Sequence, residues 1–158
     1  MTTVPTTPHH SNLSISPESL LEAILTEPSI FCVNVKIFDK CTTTFCLLTS
    51  LEYLFIKEVI SSLINESIIN TLEEERRIKR ELRFILALKR IVKEDKVLYD
   101  KPSTLPRNIF ETRSIIVNVL KSEFLYRKVF AIWKKFDSEC SRIIKTMTQP
   151  SFFFETKI

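Results

Sequence analysis

The 158-residue sequence contains no glycine, and this absence restricts the backbone more than any other feature of the composition. Glycine takes positive φ angles without steric cost and lets a backbone approach a ligand closely. Phosphate-binding P-loops, dinucleotide-binding G-x-G-x-x-G turns and G-x-S-x-G nucleophile elbows all depend on it. The sequence therefore excludes these classes of site and predicts a chain built mostly of helices, with few tight turns.

Two tails are predicted to flank one domain. Residues 1–15 are rich in Thr, Pro and Ser and hold few apolar groups, so we expect a disordered tail there. Residues 16–149 are expected to form a single helical domain, and residues 150–158 form an aromatic C-terminal tail. Thr7 and Ser16 each precede a proline, which makes them candidate phosphorylation sites.

Capping signals place the helices. Ser16 followed by proline begins a short helix, because Ser is a good N-cap and Pro suits the first helical position. Thr49 and Glu52 have the spacing of a capping box, and a similar pattern recurs at Asn70. The segment 49–99 is therefore read as one long helix or as two.

A β-hairpin is expected between the short helix and the first capping box. Val33, Val35 and Ile37 alternate with polar residues, which is the two-residue repeat of a strand, and a Thr-rich run follows at 41–48. We predict a mainly α fold: a bundle of long antiparallel helices with a short N-terminal helix and this small hairpin.

The cysteine and histidine content argues against a metal site. The four cysteines (Cys32, Cys41, Cys46 and Cys140) form no C-x-x-C pair, and the two histidines are adjacent in the N-terminal tail. Structural zinc needs four such ligands, so buried free thiols are expected and neither metal nor cofactor is predicted. The N-terminal residues lack the basic and apolar regions of a secretory leader, and no apolar run has membrane-spanning length, so we expect a nuclear or cytoplasmic protein without a membrane span.

Apolar residues near the C-terminus recur in steps of four and three, as in a coiled-coil seam. Such a seam packs either inside the domain or on a partner helix, and the pattern leaves both interpretations open. As a partner interface it comprises, together with the aromatic tail, Val129, Trp133, Phe136, Cys140, Ile143, Met147, Phe152, Phe153 and Phe154.

Charge is distributed unevenly along the chain. Residues 1–70 hold three Lys against seven acidic residues, whereas residues 71–158 hold twenty Lys or Arg against twelve acidic residues. The basic segments 76–93 and 127–145 face either solvent or an anionic partner such as nucleic acid. The candidate nucleic-acid contacts are Arg76, Arg80, Arg83, Arg90, Lys134, Lys135 and Arg142.

No pair of carboxylates and no Cys–His or Ser–His pair has a spacing that indicates catalysis, so an enzyme is not predicted. The sequence favours a non-catalytic subunit or adaptor of an intracellular complex, acting through protein contacts as a hetero-complex or homodimer. The alternatives are a nucleic-acid-binding protein that uses the basic helices and a protein, such as a viral regulator, whose groove captures a partner's helix.

Overall fold

The computed structural model describes residues 15–38 and 40–148, which form five α-helices and four β-strands around one core. The predicted N-terminal tail and the aromatic tail with Phe152, Phe153 and Phe154 lie outside the described residues, apart from Ile15, which packs against the core. The elements are α1 (Pro17–Leu25), a 3-10 turn (Pro28–Ile30), β1 (Cys32–Phe38), β2 (Cys41–Cys46), α2 (Ser50–Asn65), α3 (Leu72–Ala87), β3 (Leu88–Lys93), β4 (Lys96–Asp100), α4 (Ile109–Leu120) and α5 (Glu123–Thr148).

The helix starts follow from local side-chain chemistry. Ser16 caps α1, and Thr49 with Glu52 forms the predicted capping box at the start of α2, so both predictions are confirmed. The segment predicted as one helix or two contains two, because α2 ends at Asn65 and α3 begins after a second capping box. That box is made by Thr71 and its third neighbour Glu74, one residue later than the predicted pattern.

The prediction of a helical bundle is wrong, because the chain forms a mixed α/β fold with a four-stranded antiparallel sheet in the order β1-β2-β3-β4. The predicted hairpin supplies β1 and β2. The second hairpin comes from residues 88–100, which the sequence analysis assigned to the end of a long helix. Leu88 and Val92 continue the helical spacing of the preceding apolar residues, which is why a helix was expected. Residues 88–93 instead form a strand because they pair with β2.

The sheet register turns one face towards the helices. Phe45 of β2 lies opposite Leu88 of β3, and Thr43 lies opposite Ile91, with all four side chains buried. An irregularity between Thr44 and Phe45 shifts the register by one residue at this point. The inner face of the sheet is therefore an extension of the helical core.

Helix α5 covers that inner face with aromatic side chains. The Phe136 ring stacks on Phe45 at 6.0 Å between centroids, and Trp133 lies 5.9 Å from Phe84 of α3. The prediction of a coiled coil is wrong, because the seam residues Val129, Trp133, Phe136, Cys140 and Ile143 are buried against the sheet and the other helices, while Met147 packs half-buried beside them. Contact of these six residues with a partner stays a prediction.

The expectation of four free thiols is wrong for two of the four cysteines. Cys32 and Cys46 are directly opposite each other at the ends of β1 and β2 and form a disulfide, with their Cα atoms 4.2 Å apart. Cys41 and Cys140 are free and buried. The spacing along the chain gives no sign of this bond, because the two cysteines meet only through the hairpin register.

Candidate functional site

Helix α2 carries large apolar side chains on its outer side as well as on the side that faces the core. Its inner side buries Ile56, Ile60 and Leu63, whereas Leu51 and Leu54 on its outer side are 68% and 51% exposed. Four more large apolar side chains of this part of the chain are exposed. We call the six together the α2 surface: Leu51, Tyr53, Leu54, Ile64, Ile68 and Leu72.

Glu52 fixes which side of α2 faces the core. Its carboxylate accepts a hydrogen bond from the backbone N–H of Thr49 at 2.9 Å and pairs with Lys101, which follows β4. The Lys101 ammonium also donates to the carbonyl oxygen of Leu86 at 2.6 Å, near the end of α3. Because Glu52 is only 7% exposed and its charge is compensated, this polar contact holds the start of α2 in one orientation.

Sequence reasoning missed the α2 surface because Leu51 and Leu54 have the three-residue spacing that is expected of a core-facing stripe. In the structure Leu51, Leu54 and Ile64 are exposed, whereas Ile56 and Ile60 are buried. Leu54 lies among Lys57, Glu58 and Ser61, on a polar side of the helix. Leucine among these polar residues is the signal that could have identified the surface.

The predicted basic residues do not form one open strip. Arg83 of α3 pairs with Asp137 of α5 and lies over the Trp133 ring, with its guanidinium carbon 5.5 Å from the centroid. Burial raises the pKa of the Asp137 carboxyl, and Arg83 opposes that shift. Arg83 therefore serves the packing of α3 on α5.

Other predicted nucleic-acid contacts also have acidic or aromatic neighbours. Arg142 binds Glu139 through two hydrogen bonds of 2.8 and 2.9 Å, and Arg90 lies 3.4 Å from Asp100. The Lys134 ammonium lies 5.1 Å from the centroid of the Phe130 ring. Arg76, Arg80 and Lys135 are exposed and form no ion pair with the residues that the structure describes.

A partly buried polar network joins α3, α4 and α5. One carboxylate oxygen of Glu81 accepts hydrogen bonds from Arg113 Nε and from the Tyr126 hydroxyl, both at 2.7 Å. The Arg113 guanidinium also reaches Glu123 at 3.2 Å and lies 4.6 Å from the centroid of the Tyr126 ring. Burial and the hydrogen bond to Glu81 raise the pKa of Tyr126. Each charge has an opposite partner, so the network explains helix packing without invoking a reaction.

Within residues 15–38 and 40–148, no three His, Cys, Asp or Glu side chains converge in a way that could hold a metal ion. His9 and His10 lie outside the described residues. In the same part of the chain, no helix combines the length and apolarity needed to cross a bilayer. Comparisons with protein-family profiles, with curated proteins and with solved structures give no match to this chain.

Proposed function

We propose that this protein is a non-catalytic subunit that binds a protein partner through the α2 surface. The observation that carries the proposal is the exposure of Leu51 and Leu54 on a helix whose opposite side is held in the core. Large apolar side chains grouped on one part of a surface mark interaction sites, whereas scattered single ones do not.

The chemistry of the α2 surface favours an apolar partner with a mixed-charge rim. Lys57 and Glu58 of α2 and Glu66, which follows the helix, line a shallow depression of about 460 Å³ together with Leu54. Apolar centres with polar rims are typical of protein interfaces. A partner helix with apolar residues on one side and both signs of charge at its margins fits this surface, in a hetero-complex or a homodimer.

The first test removes the apolar centre. The double variant Leu51→Glu, Leu54→Glu changes two exposed residues, so its circular dichroism and melting temperature should match those of the unchanged protein. In a tagged pull-down from nuclease-treated extract, washed at high salt, it should lose the stoichiometric partner that the unchanged protein retains. Binding to the purified partner should then be weakened by at least tenfold, which corresponds to about 1.4 kcal/mol.

The matched control is Phe124→Glu, because Phe124 is also exposed, at 74%, but lies on α5 away from the α2 surface. This control should keep the partner. A folded double variant that binds the partner as tightly as the control does would refute the proposal. Sedimentation of the protein alone distinguishes a homodimer from a hetero-complex.

Binding of nucleic acid is the second candidate function, and the exposed Arg76 and Arg80 on α3 are the observation that favours it. It predicts that affinity for a labelled duplex falls steeply as salt is raised, and that Arg76→Gln with Arg80→Gln weakens binding. A flat salt dependence would count against it. The ion pairs of Arg83, Arg90 and Arg142 leave fewer cations for phosphate than the sequence suggests.

The helix-capturing alternative requires a long apolar groove. The depression on α2 is lined mainly by polar side chains, so it supports a helix laid across Leu51 and Leu54 more than one inserted into a cleft. An adaptor surface is the simpler account of the same residues.

An intracellular location stays a prediction. Disulfides persist mainly in oxidising compartments, so the Cys32–Cys46 bond favours the opposite location. Alkylation of the native protein immediately after cell lysis tests whether Cys32 and Cys46 are free thiols or a disulfide in the cell. Free thiols at both positions would support a reducing compartment, and a protected pair would contradict it.

A further inference from the structure

A cavity of about 290 Å³ lies between the sheet and the junction of α4 with α5. No residue of α2 lines it, so it is separate from the proposed partner surface. Its walls are mainly apolar and include Phe38, Ile91 and Leu98 from the sheet and Val119, Leu120 and Leu125 from the helices. Pockets for small molecules are concave and mostly apolar with a few polar groups, and this volume suits a small ligand.

Within residues 15–38 and 40–148, the charged residues that line the cavity are Lys93 of β3 and Lys121, which follows α4, and none of these described residues brings an acidic side chain to it. The Lys93 ammonium lies 5.9 Å from the centroid of the Phe38 ring. Burial raises the pKa of the Cys41 thiol, and the charge of Lys93 opposes that rise. Neither lysine forms an ion pair with the described residues. The cavity therefore combines an apolar interior with two lysine charges that no described acidic residue pairs with.

We propose that this cavity binds a small apolar carboxylate, whose hydrocarbon part lies against the apolar walls and whose carboxylate binds Lys93 and Lys121. Asn118 also lines the cavity and can donate a further hydrogen bond to a carboxylate oxygen. A cationic ligand would meet two like charges, and a neutral one would gain no charge-assisted contact with these two exposed lysines.

Calorimetric titration of the full chain with octanoate and with octanol tests the charge requirement. Octanoate should bind at one saturable site, and octanol should bind about tenfold more weakly because it lacks the charge-assisted contacts. Absence of saturable octanoate binding, or equal affinity for the two compounds, would overturn the proposal.

Substitution of the two lysines tests the location. Lys93→Gln with Lys121→Gln should reduce octanoate affinity about tenfold and leave octanol affinity unchanged, since each exposed ion pair is worth about threefold. Lys93→Arg with Lys121→Arg should retain octanoate binding, which separates loss of charge from loss of folding. The control Lys134→Gln with Lys135→Gln removes the same charge from α5 and should behave like the unchanged protein. Full octanoate binding by the glutamine variant would show that the site lies elsewhere.

Discussion

Hairpin β1–β2 and hairpin β3–β4 belong to one sheet, but they are held in different ways. The first is closed by the Cys32–Cys46 disulfide and by a hydrogen bond of 2.6 Å between Thr44 and Asn34. The second has no covalent link, and its outer strand β4 exposes four of its five side chains. Its inner strand β3 pairs with β2 and buries Leu88 and Ile91, so we expect the second hairpin to depend on the first.

The largest expected effect comes from the shared strand β2. Phe45 is fully buried and its ring packs on Phe84 and Phe136, so Phe45→Ala should lower the free energy of unfolding by about 3–5 kcal/mol. The control Val97→Ala in β4, where Val97 is 53% exposed, should cost less than about 0.5 kcal/mol. Urea denaturation measures both. Similar losses of unfolding free energy in the two variants would mean that β4 contributes as much to stability as β2 does, which would contradict the proposed difference between the hairpins.

Breaking the disulfide should have the next largest effect. The bond closes a loop with a sequence separation of 14, for which loop entropy predicts about 3 kcal/mol of stabilisation. Cys32→Ser with Cys46→Ser should lower the free energy of unfolding by that amount, and a reducing agent should bring the unchanged protein to the same value. If reduction leaves the melting temperature unaltered, the first hairpin does not depend on its cross-link.

Substitutions in the turn of the second hairpin should raise the free energy of unfolding. Glu94 and Asp95 both have positive φ angles, 52° and 64°, which glycine adopts without steric cost and which asparagine and aspartate tolerate better than glutamate does. Glu94→Asn with Asp95→Gly should raise the free energy of unfolding by about 1 kcal/mol. Lys40→Gly changes the one positive-φ residue described in the first turn (58°) and should gain about half as much. A larger gain in the free energy of unfolding from Lys40→Gly than from the double variant would mean that the first turn, not the second, is the less favourable one.

The smallest effect is expected at Tyr99 in β4. Its hydroxyl is buried and finds no hydrogen-bond partner among the described residues, so Tyr99→Phe should change the free energy of unfolding by less than about 0.5 kcal/mol or raise it slightly. Tyr126→Phe is the matched comparison, because that hydroxyl donates to Glu81, and its loss should cost about 1–2 kcal/mol. Equal costs would indicate an unseen partner for Tyr99.

The same residue predicts a dependence on alkaline pH. Burial raises the pKa of Tyr99 to about 12, above its ordinary value of 10. The unfolded chain therefore loses this proton first, and stability should fall as pH rises from about 10 to 12. Tyr99→Phe should flatten that fall, and unfolding curves at a series of pH values measure it. An unchanged slope would mean that Tyr99 does not titrate as its burial predicts.

Local patterns predict the elements whose determinants are close together in the chain. The cap at Ser16, the capping box at Thr49 and the alternation around Val35 are each contained within a few residues. The second hairpin is different, because Lys89 and Arg90 resemble the solvated side of a helix and the pairing partner β2 lies more than 40 residues away. Non-local pairing overrides local preference there.

The candidate sites were less predictable than the fold. The α2 surface depends on which side of α2 Glu52 anchors, and the anchor Lys101 belongs to a different part of the chain. The cavity at Lys93 and Lys121 forms only when the sheet meets the α4–α5 junction. Basic residues were visible in the sequence, and the i,i+3 spacing of Arg142 and Glu139 indicates their pairing, but Asp137 and Asp100 were recognisable as partners of Arg83 and Arg90 only in three dimensions.

The position of α5 at the end of the described chain has a consequence for biosynthesis. The inner face of the sheet is complete by Asp100, but Trp133 and Phe136 cover it, and they are translated later. At about 5–20 residues per second, Phe45 and Phe84 stay uncovered for several seconds on a ribosome. During that interval the nascent chain is a substrate for chaperones, and pausing before α5 would lengthen its exposure to aggregation.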